Sequence, residues 1–352
     1  MTRCISFAGM KGGVGKTSQT LSVAYCAANE YDKKVLVIDL DPQSSTSIIL
    51  GVTPNNYDAR TPSKDMAQLL KEVEMSDLSY EQDYLEDPEP NTDLDNCINV
   101  KGIHTLMNMV LEGQGRSITK EVIQECIHQP IYYMFESAKN PDGTLKRNER
   151  GQTMKEKTWF QYGFDLMPAT EELADIQFRI ANMPSKQRGM IVPAITKIIE
   201  KEFDYDYVIF DLAPSLDFLV GNGMMASKSG VIVCVSQDKQ SLYALSRIKE
   251  NLRVIKNGAP YTHNGALGIV LTIFDKKRIT DRYIEKTVGY DTKLKVFKTK
   301  ISKTSDAQKS ILAGLITPQI SDKNYLENCK LFKEIDKEIT LREEREAKLN
   351  GN

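Results

Sequence analysis

The sequence predicts an α/β protein built on a doubly wound, mostly parallel sheet with helices on both faces. Three observations carry this expectation. Short, continuously apolar runs rich in Val and Ile recur along the chain, helix-period patterns alternate with them, and a glycine-rich loop joins the first run to the first helix. Continuous apolarity marks strands covered on both faces, as in a parallel sheet. The alternation of strand and helix is the connectivity that a parallel sheet requires.

In chain order the predicted strands are Cys4–Ala8, Val35–Ile38, Phe164–Met167, Tyr207–Phe210, Val231–Val235, Leu267–Ile273 and Lys295–Ile301. The main predicted helices are Lys16–Ala28, Glu171–Ala181, Gln187–Glu202, Ser241–Lys256 and Asp281–Val288. Two segments break the rhythm. Residues 71–95 hold ten acids against one lysine, and residues 139–157 hold six basic against three acidic residues and read as an exposed loop. Short helices are expected between them at Gly102–Glu112 and Ile118–Ile127. We therefore read residues 1–352 as a single domain with an elaborated insertion over about 52–160 and a charged C-terminal helix over about 324–350.

Composition narrows the function classes. Hydrophobic residues make up 41% of the 352, enough for a large core, and 46 basic residues against 48 acidic ones give a net charge of -2. A nucleic-acid contact would therefore need a local basic patch. The six cysteines form no CxxC pair, and Cys4, Cys26 and Cys234 lie in apolar runs. That favours a reducing, cytoplasmic setting over a disulfide framework. No apolar run approaches 18 residues, so neither a signal peptide nor a membrane span is expected.

The strongest local signal is Lys11-Gly12-Gly13-Val14-Gly15-Lys16-Thr17-Ser18, set between a strand and a helix. Glycines allow a tight turn whose N–H groups face one concavity, and the helix N-terminus adds its positive dipole end. Lys16 can reach β- and γ-phosphates, and the Thr17 hydroxyl can ligate Mg²⁺. Position 10, where the strict phosphate-loop pattern has glycine, is Met10, and a second lysine, Lys11, lies inside the loop. Two further strands end in acids: VLVIDLDPQ in Asp39 and Asp41, and YVIFDLAPS in Asp211. Either aspartate run alone could cap a helix or start a turn. With the phosphate loop, they converge on one metal–nucleotide site at the carboxyl edge of the sheet.

KGGVGKT, VIDLDPQ and YDYVIFDLAPS, in this order, resemble the nucleotide motifs of the ParA family, which belongs to the deviant Walker A class of P-loop ATPases. The resemblance covers roughly 1–50 and 160–320, including Ser236-Gln237-Asp238, Leu242–Leu245 and Leu271–Ile273 with Asp275–Arg278. It implies an ATPase that uses ATP and Mg²⁺, slow alone and stimulated by a partner. It makes Lys11 the signature lysine that reaches across an ATP-sandwich homodimer, and Asp41 the residue that handles the attacking water. Asp39 and Asp211 support Mg²⁺. The implied partners are non-specific duplex DNA and a ParB-like centromere-binding protein, in the segregation of a plasmid or chromosome on the nucleoid. The chain departs from the family at Ala213-Pro214, where two prolines are usual, and at Ser302-Lys303-Thr304, where Pro-Arg-Asn often lies near the adenine.

The alternative reading is a MinD-like membrane-associated positioning ATPase. It needs a basic amphipathic C-terminal helix, whereas residues 330–352 hold six basic and six acidic residues. Their apolar stripe, Leu331, Phe332, Ile335 and Ile339, is expected to pack on the core. A cluster-carrier reading would need cysteine ligands, and Cys97 and Cys126 lie in no cluster motif. For DNA, residues 276–303 hold ten basic and three acidic residues. The candidate contacts are Lys276, Lys277, Arg278, Arg282 and Lys286, joined by Arg247 and Arg253. The phosphate loop starts near residue 10, so no N-terminal helix-turn-helix is expected, and contact should be with phosphates.

Overall fold

The computed structural model describes residues 2–52, 100–137, 139–140, 144–147, 153, 155–184, 187–236, 239–304, 316, 319 and 321–350. The acidic run 71–95 and Cys97 lie outside the described residues, as do Gln237, Asp238 and part of the basic run 139–157.

Six strands form a parallel sheet: β1 (Arg3–Ala8), β2 (Val35–Leu40), β5 (Asp165–Met167), β6 (Tyr207–Leu212), β7 (Gly230–Val235) and β8 (Ala266–Leu271). Their order is β5-β2-β6-β1-β7-β8. From β1 the chain first winds toward the β5 edge and later returns from β6 across β1 to β7 and β8. The loops after β1, β2 and β6 thus leave the carboxyl edge side by side, the place where such sheets bind ligands.

The run-on apolarity of the strands has a direct cause. Leu36, Ile38, Leu40, Val208, Phe210 and Leu212 enter one apolar layer, and their neighbours Val35, Val37, Tyr207 and Ile209 enter the opposite one. The first layer is closed by α3 (Ile103–Leu111), α5 (Glu172–Ala181), α6 (Ile191–Glu202), α7 (Phe218–Ala226) and α8 (Lys239–Gly258). The second is closed by α1 (Lys16–Tyr31) and the C-terminal helix α10 (Asp322–Asn350). The α7 contact is unusually close. A Cβ at Gly223 would run into the methyls of Leu212 and Leu40, so any larger residue there would force these buried leucines to shift.

Helix α10 is part of the core. Leu331, Phe332, Ile335 and Ile339 are buried, as the sequence led us to expect. The Phe332 ring lies 5.1 Å from that of Tyr31 and 5.3 Å from that of Tyr207. The Arg3 guanidinium ties β1 to the same helix, donating to Thr340 Oγ1 at 2.9 Å and Glu343 Oε2 at 2.6 Å. Arg342 caps the start of β8 by donating to the carbonyls of Asn264, Ala266 and Leu267. None of the described helices is long and apolar enough to cross a membrane.

Several expectations need correction. Lys295–Ile301 is not a seventh strand. Its backbone bonds β8 at Ile269 and Leu271, but the Lys298 and Thr299 amides turn to the Glu334 carboxylate at 2.7 and 2.9 Å, so the ladder is interrupted. β8 stops at Leu271 because Ile273 takes a left-handed φ of 55°. The exposed-loop reading of 139–157 fails at its end. β3 (Ile131–Ser137) and β4 (Lys155–Gln161) form an antiparallel ribbon, and Lys155 pairs with Ser137. Helix α4 (Lys120–Gln124) is shorter than its pattern, and Cys126 just beyond it is buried. Helix α2 (Ser45–Ile49) and α7 were not foreseen.

If α10 is core, Phe332→Ala should destabilise the chain by about 3–5 kcal/mol, the cost of a large buried truncation. Urea unfolding of the purified chain measures this. A change within about 0.5 kcal/mol is what a surface position would give.

Candidate functional site

The loop between β1 and α1 turns through Gly13 (φ 75°) and Gly15 (φ 84°), both in the left-handed region that favours glycine. Gly12 and Gly13 are exposed, Lys11, Thr17 and Ser18 are half-buried, and Val14 and Lys16 are buried. Lys16 folds back so that its Nζ donates to the Lys11 carbonyl at 3.2 Å. Burial lowers its pKa, against the opposing fields of Cys234, Asp211 and Asp41. From the far strand the Thr272 hydroxyl donates to the Val14 carbonyl at 2.7 Å and holds the loop's floor.

Asp39 and Asp211 end adjacent strands in direct register, both fully buried. Four hydroxyls serve them. Asp211 Oδ2 accepts from Thr17 and Thr46, each at 2.8 Å, and its Oδ1 accepts from Thr20 at 3.3 Å. Asp39 Oδ2 accepts from the Ser47 hydroxyl and amide at 2.8 and 3.0 Å, and its Oδ1 from the Asp41 amide at 3.1 Å. Asp41 is nearly buried, and its Oδ1 accepts from the Gln43 amide at 2.9 Å.

Burial, with the neighbouring Asp211 charge, pushes the Asp39 carboxyl up to about 7. Burial also raises Asp211, while the Thr46 and Thr17 hydroxyls and Lys16 oppose it. Two buried carboxylates side by side, with one nearby lysine, form a site that a divalent cation would discharge. The donors are hard oxygens, Thr17 Oγ1 and the two carboxylates, which suit Mg²⁺. Among the described residues no group of three or more His, Cys, Asp or Glu could hold a metal. A sparse set of one or two carboxylates is how Mg²⁺ is held when phosphates supply the remaining oxygens.

The structure thus brings Lys16, Thr17, Asp39, Asp41 and Asp211 to one place, at the mouth of the phosphate loop. Reading the motifs missed Thr20, Thr46, Ser47 and Thr272. The polar start of SSTSII, directly after DPQ, is the signal that could have flagged Thr46 and Ser47. Ser302, the first residue of the Ser302-Lys303-Thr304 departure, donates its amide and hydroxyl to Glu327 at 2.8 and 2.6 Å.

The basic candidates lie elsewhere, past β8. Lys276, Lys277 and Arg278 precede α9 (Ile279–Thr292), which carries Arg282 and Lys286, and all five are exposed. Arg247 and Arg253 are exposed on α8, but Arg253 is paired with Glu250 at 2.7 Å and is a weaker candidate than its charge suggests. Arg278 lies 3.7 Å from Asp275. Lys300 pairs with Glu285 and Lys295 with Glu338, which removes two charges from the basic run. Exposed Ile279, Tyr283 and Tyr290 interleave with the cations.

Fold and site together define a P-loop ATPase. A family model described as AAA domain matches residues 2–264, and the chain belongs to that family. Its relatives include the chromosome partitioning protein ParA of Myxococcus xanthus, 22% identical over 295 residues that cover 82% of this chain and 71% of that one. The sporulation initiation inhibitor protein Soj of Bacillus subtilis is 21% identical, covering 86% and 84%. Among solved structures, apo McdA of Cyanothece superposes with a TM-score of 0.61 at 15% identity, covering 95% and 99%. The septum site-determining protein MinD of Pyrococcus horikoshii, complexed with Mg-ADP, gives 0.56 at 17%, covering 96% and 97%. The ParA-family resemblance read from the motifs is borne out, and so is the fold class.

The buried carboxylates imply a pH signature. The folded-state pKa of Asp39 is raised above its unfolded value, so the folded state binds the extra proton. Its relative contribution to stability is full below the unfolded pKa and is lost as pH rises through about 7. The nucleotide-free chain should lose melting temperature between about pH 4 and 7, and Asp39→Asn should flatten that slope. Calorimetric scans across pH check this.

Proposed function

We propose that this chain is an ATP-dependent partition protein. Bound to ATP it dimerises, binds duplex DNA without sequence preference, and moves a plasmid or chromosome together with a ParB-like partner. The supporting observation is the pairing of a two-lysine phosphate loop, backed by Thr17 on Asp211, with a separate exposed basic face on the loop after β8 and on α9. In this reading residues 1–352 form one ATPase domain, elaborated over 52–160, in a cytoplasmic, nucleoid-associated protein.

Lys16 leaves the Lys11 carbonyl to meet the phosphates, with the amides of residues 12–17. Thr17, Asp211 and Asp39 would hold Mg²⁺, whose charge would offset the phosphates and the buried carboxylates. Asp41 orients the attacking water from the end of β2. The MinD likeness lends the membrane alternative no local support, because the stripe a membrane helix would use is buried against α1 and β6.

Lys11 supports the dimer, as the loop lysine that would reach the other copy's phosphates. Gly12 offers a clean test. A Cβ there meets nothing within 4 Å, and the residue has no left-handed φ, so Gly12→Val should leave the monomer intact. It should abolish the ATP-dependent increase in mass seen by light scattering while ATP affinity stays within about threefold. Asp41→Ala should keep both ATP binding and the dimer yet lose turnover. A Gly12→Val chain that still dimerises on ATP refutes the close approach of two loops.

DNA binding should be electrostatic. Each phosphate contact releases counterions, so log affinity should fall against log salt with a slope of about -0.9 per contact. Reversal of Lys277 and Arg282 to Glu should weaken binding evenly across sequences and flatten the slope by about two contacts' worth, with DNA-free turnover unchanged. Fluorescence anisotropy over a salt series measures it. Unchanged retention by the double reversal would leave these charges as a solvated face, and ATP-dependent binding to anionic liposomes instead of DNA would favour the membrane reading.

A further inference from the structure

We infer that Thr46 is a positioning residue for hydrolysis, linking the metal carboxylate Asp211 to the loop that carries Asp41. The inference rests on the ATPase reading of Asp211 and Asp41 given above.

Helix α2 has five residues, too few to persist on helix propensity alone. Its place is set by side chains. Thr46 and Ser47 in its first turn are fully buried, and both hydroxyls are spent on carboxylates at strand ends. The loop 41–47 is closed at its two ends by one group, Asp39, which takes the Asp41 amide and the Ser47 amide and hydroxyl. Inside it, the Asp41 carbonyl accepts from the Ser44 amide at 2.7 Å, and Ser44 holds a left-handed φ of 51°. Such a conformation costs on the order of 1–3 kcal/mol and persists only where surroundings impose it.

Thr46 supplies the other attachment, to a different strand. Its hydroxyl bonds Asp211 Oδ2, the same oxygen that takes Thr17 from α1, and both distances are 2.8 Å. One carboxylate oxygen therefore joins the phosphate-loop helix to the Asp41 loop. Thr17 and Asp211 would hold the cation at that oxygen, and Thr46 would tie its position to the loop that aims Asp41. Ser47 has a different part. Its oxygen also accepts from the Ala169 amide at 2.9 Å, so its loss would disturb the β5 side of the fold. Thr46→Val keeps the shape and the stiff β-branched side chain and deletes one bond.

The test uses the full chain and compares wild type, Thr46→Val and Thr46→Ser. Turnover, Mg²⁺·ADP affinity by calorimetry and amide hydrogen exchange over residues 41–50 are read for each. In wild type, Mg²⁺·ADP should protect 41–50 more than ADP with chelator does. In Thr46→Val, affinity should stay within about threefold, turnover should fall roughly 10- to 100-fold at unchanged KM, and the added protection should vanish. Thr46→Ser should restore both. The inference is overturned if Thr46→Val keeps its turnover, if Thr46→Ser fails to rescue, or if protection survives in Thr46→Val. Should the valine variant not fold, the wild-type comparison decides alone, since equal protection with and without Mg²⁺ overturns the link. A wild-type chain that binds no Mg²⁺·ADP instead overturns the site reading itself.

Discussion

Two carboxylates placed side by side in the centre of a parallel sheet set the terms for everything around them. Asp39 and Asp211 face each other in register at the ends of β2 and β6, with no exposure to water. Like charges this close and this dry cannot both ionise freely, and burial raises both. The chain answers with short hydroxyl side chains in place of arginines. Thr17, Thr20, Thr46 and Ser47 converge from α1 and α2. Hydroxyls satisfy the oxygens without neutralising them, which preserves the charge deficit that a divalent cation fills. An arginine pair would have stabilised the apo fold and removed the reason to bind metal.

The same constraint explains where rigidity is placed. The carboxylates stay aligned only while β1, β2 and β6 keep their register. That register is secured from below by the Arg3 clamp on α10 and from the second face by Phe332 against Tyr31 and Tyr207. A helix that could be taken from its charge pattern for a mobile tail is thereby a structural wall. Close packing of Gly223 on Leu40 and Leu212 does the same from the other layer, at the level of the strand ends that bear the acids.

Much of this was legible in the sequence, for reasons that can be stated residue by residue. Strands such as VLVID and YVIFD are apolar throughout because alternate residues feed different layers, and this pattern survives without any tertiary knowledge. The phosphate loop was legible because glycine at positions 13 and 15 is demanded by backbone conformation. Long-range partners decided what was missed. Lys295–Ile301 has the composition of a strand, but Glu334 on α10 captures two of its amides. Helix α7 has glycines and apolar residues on all sides, so it shows no helical period, although it is buried against Leu40 and Leu212 and capped by Asp217. Arg253 keeps its charge, but Glu250 one helical turn back holds its guanidinium at 2.7 Å. Thr46 is one hydroxyl in a polar run, and only the distance to Asp211 sets it apart.

The phosphate loop and the basic face are also neighbours through the backbone, which bears on how one could sense the other. Thr272 holds the Val14 carbonyl, and the next residue, Ile273, is a β-branched side chain at φ 55°, a conformation such residues almost never adopt. Phe274 is buried again, bonded through its backbone to Ile301, and the Asp275 amide donates to Asp281 at 2.6 Å in the first turn of α9. From the loop floor to the exposed cations Lys276 and Lys277 there are thus only a few residues, with Thr272, Phe274 and Asp275 each held by a hydrogen bond. Strain of this kind is tolerated where both flanks are held, here by Thr272 on one side and Phe274 with Asp281 on the other.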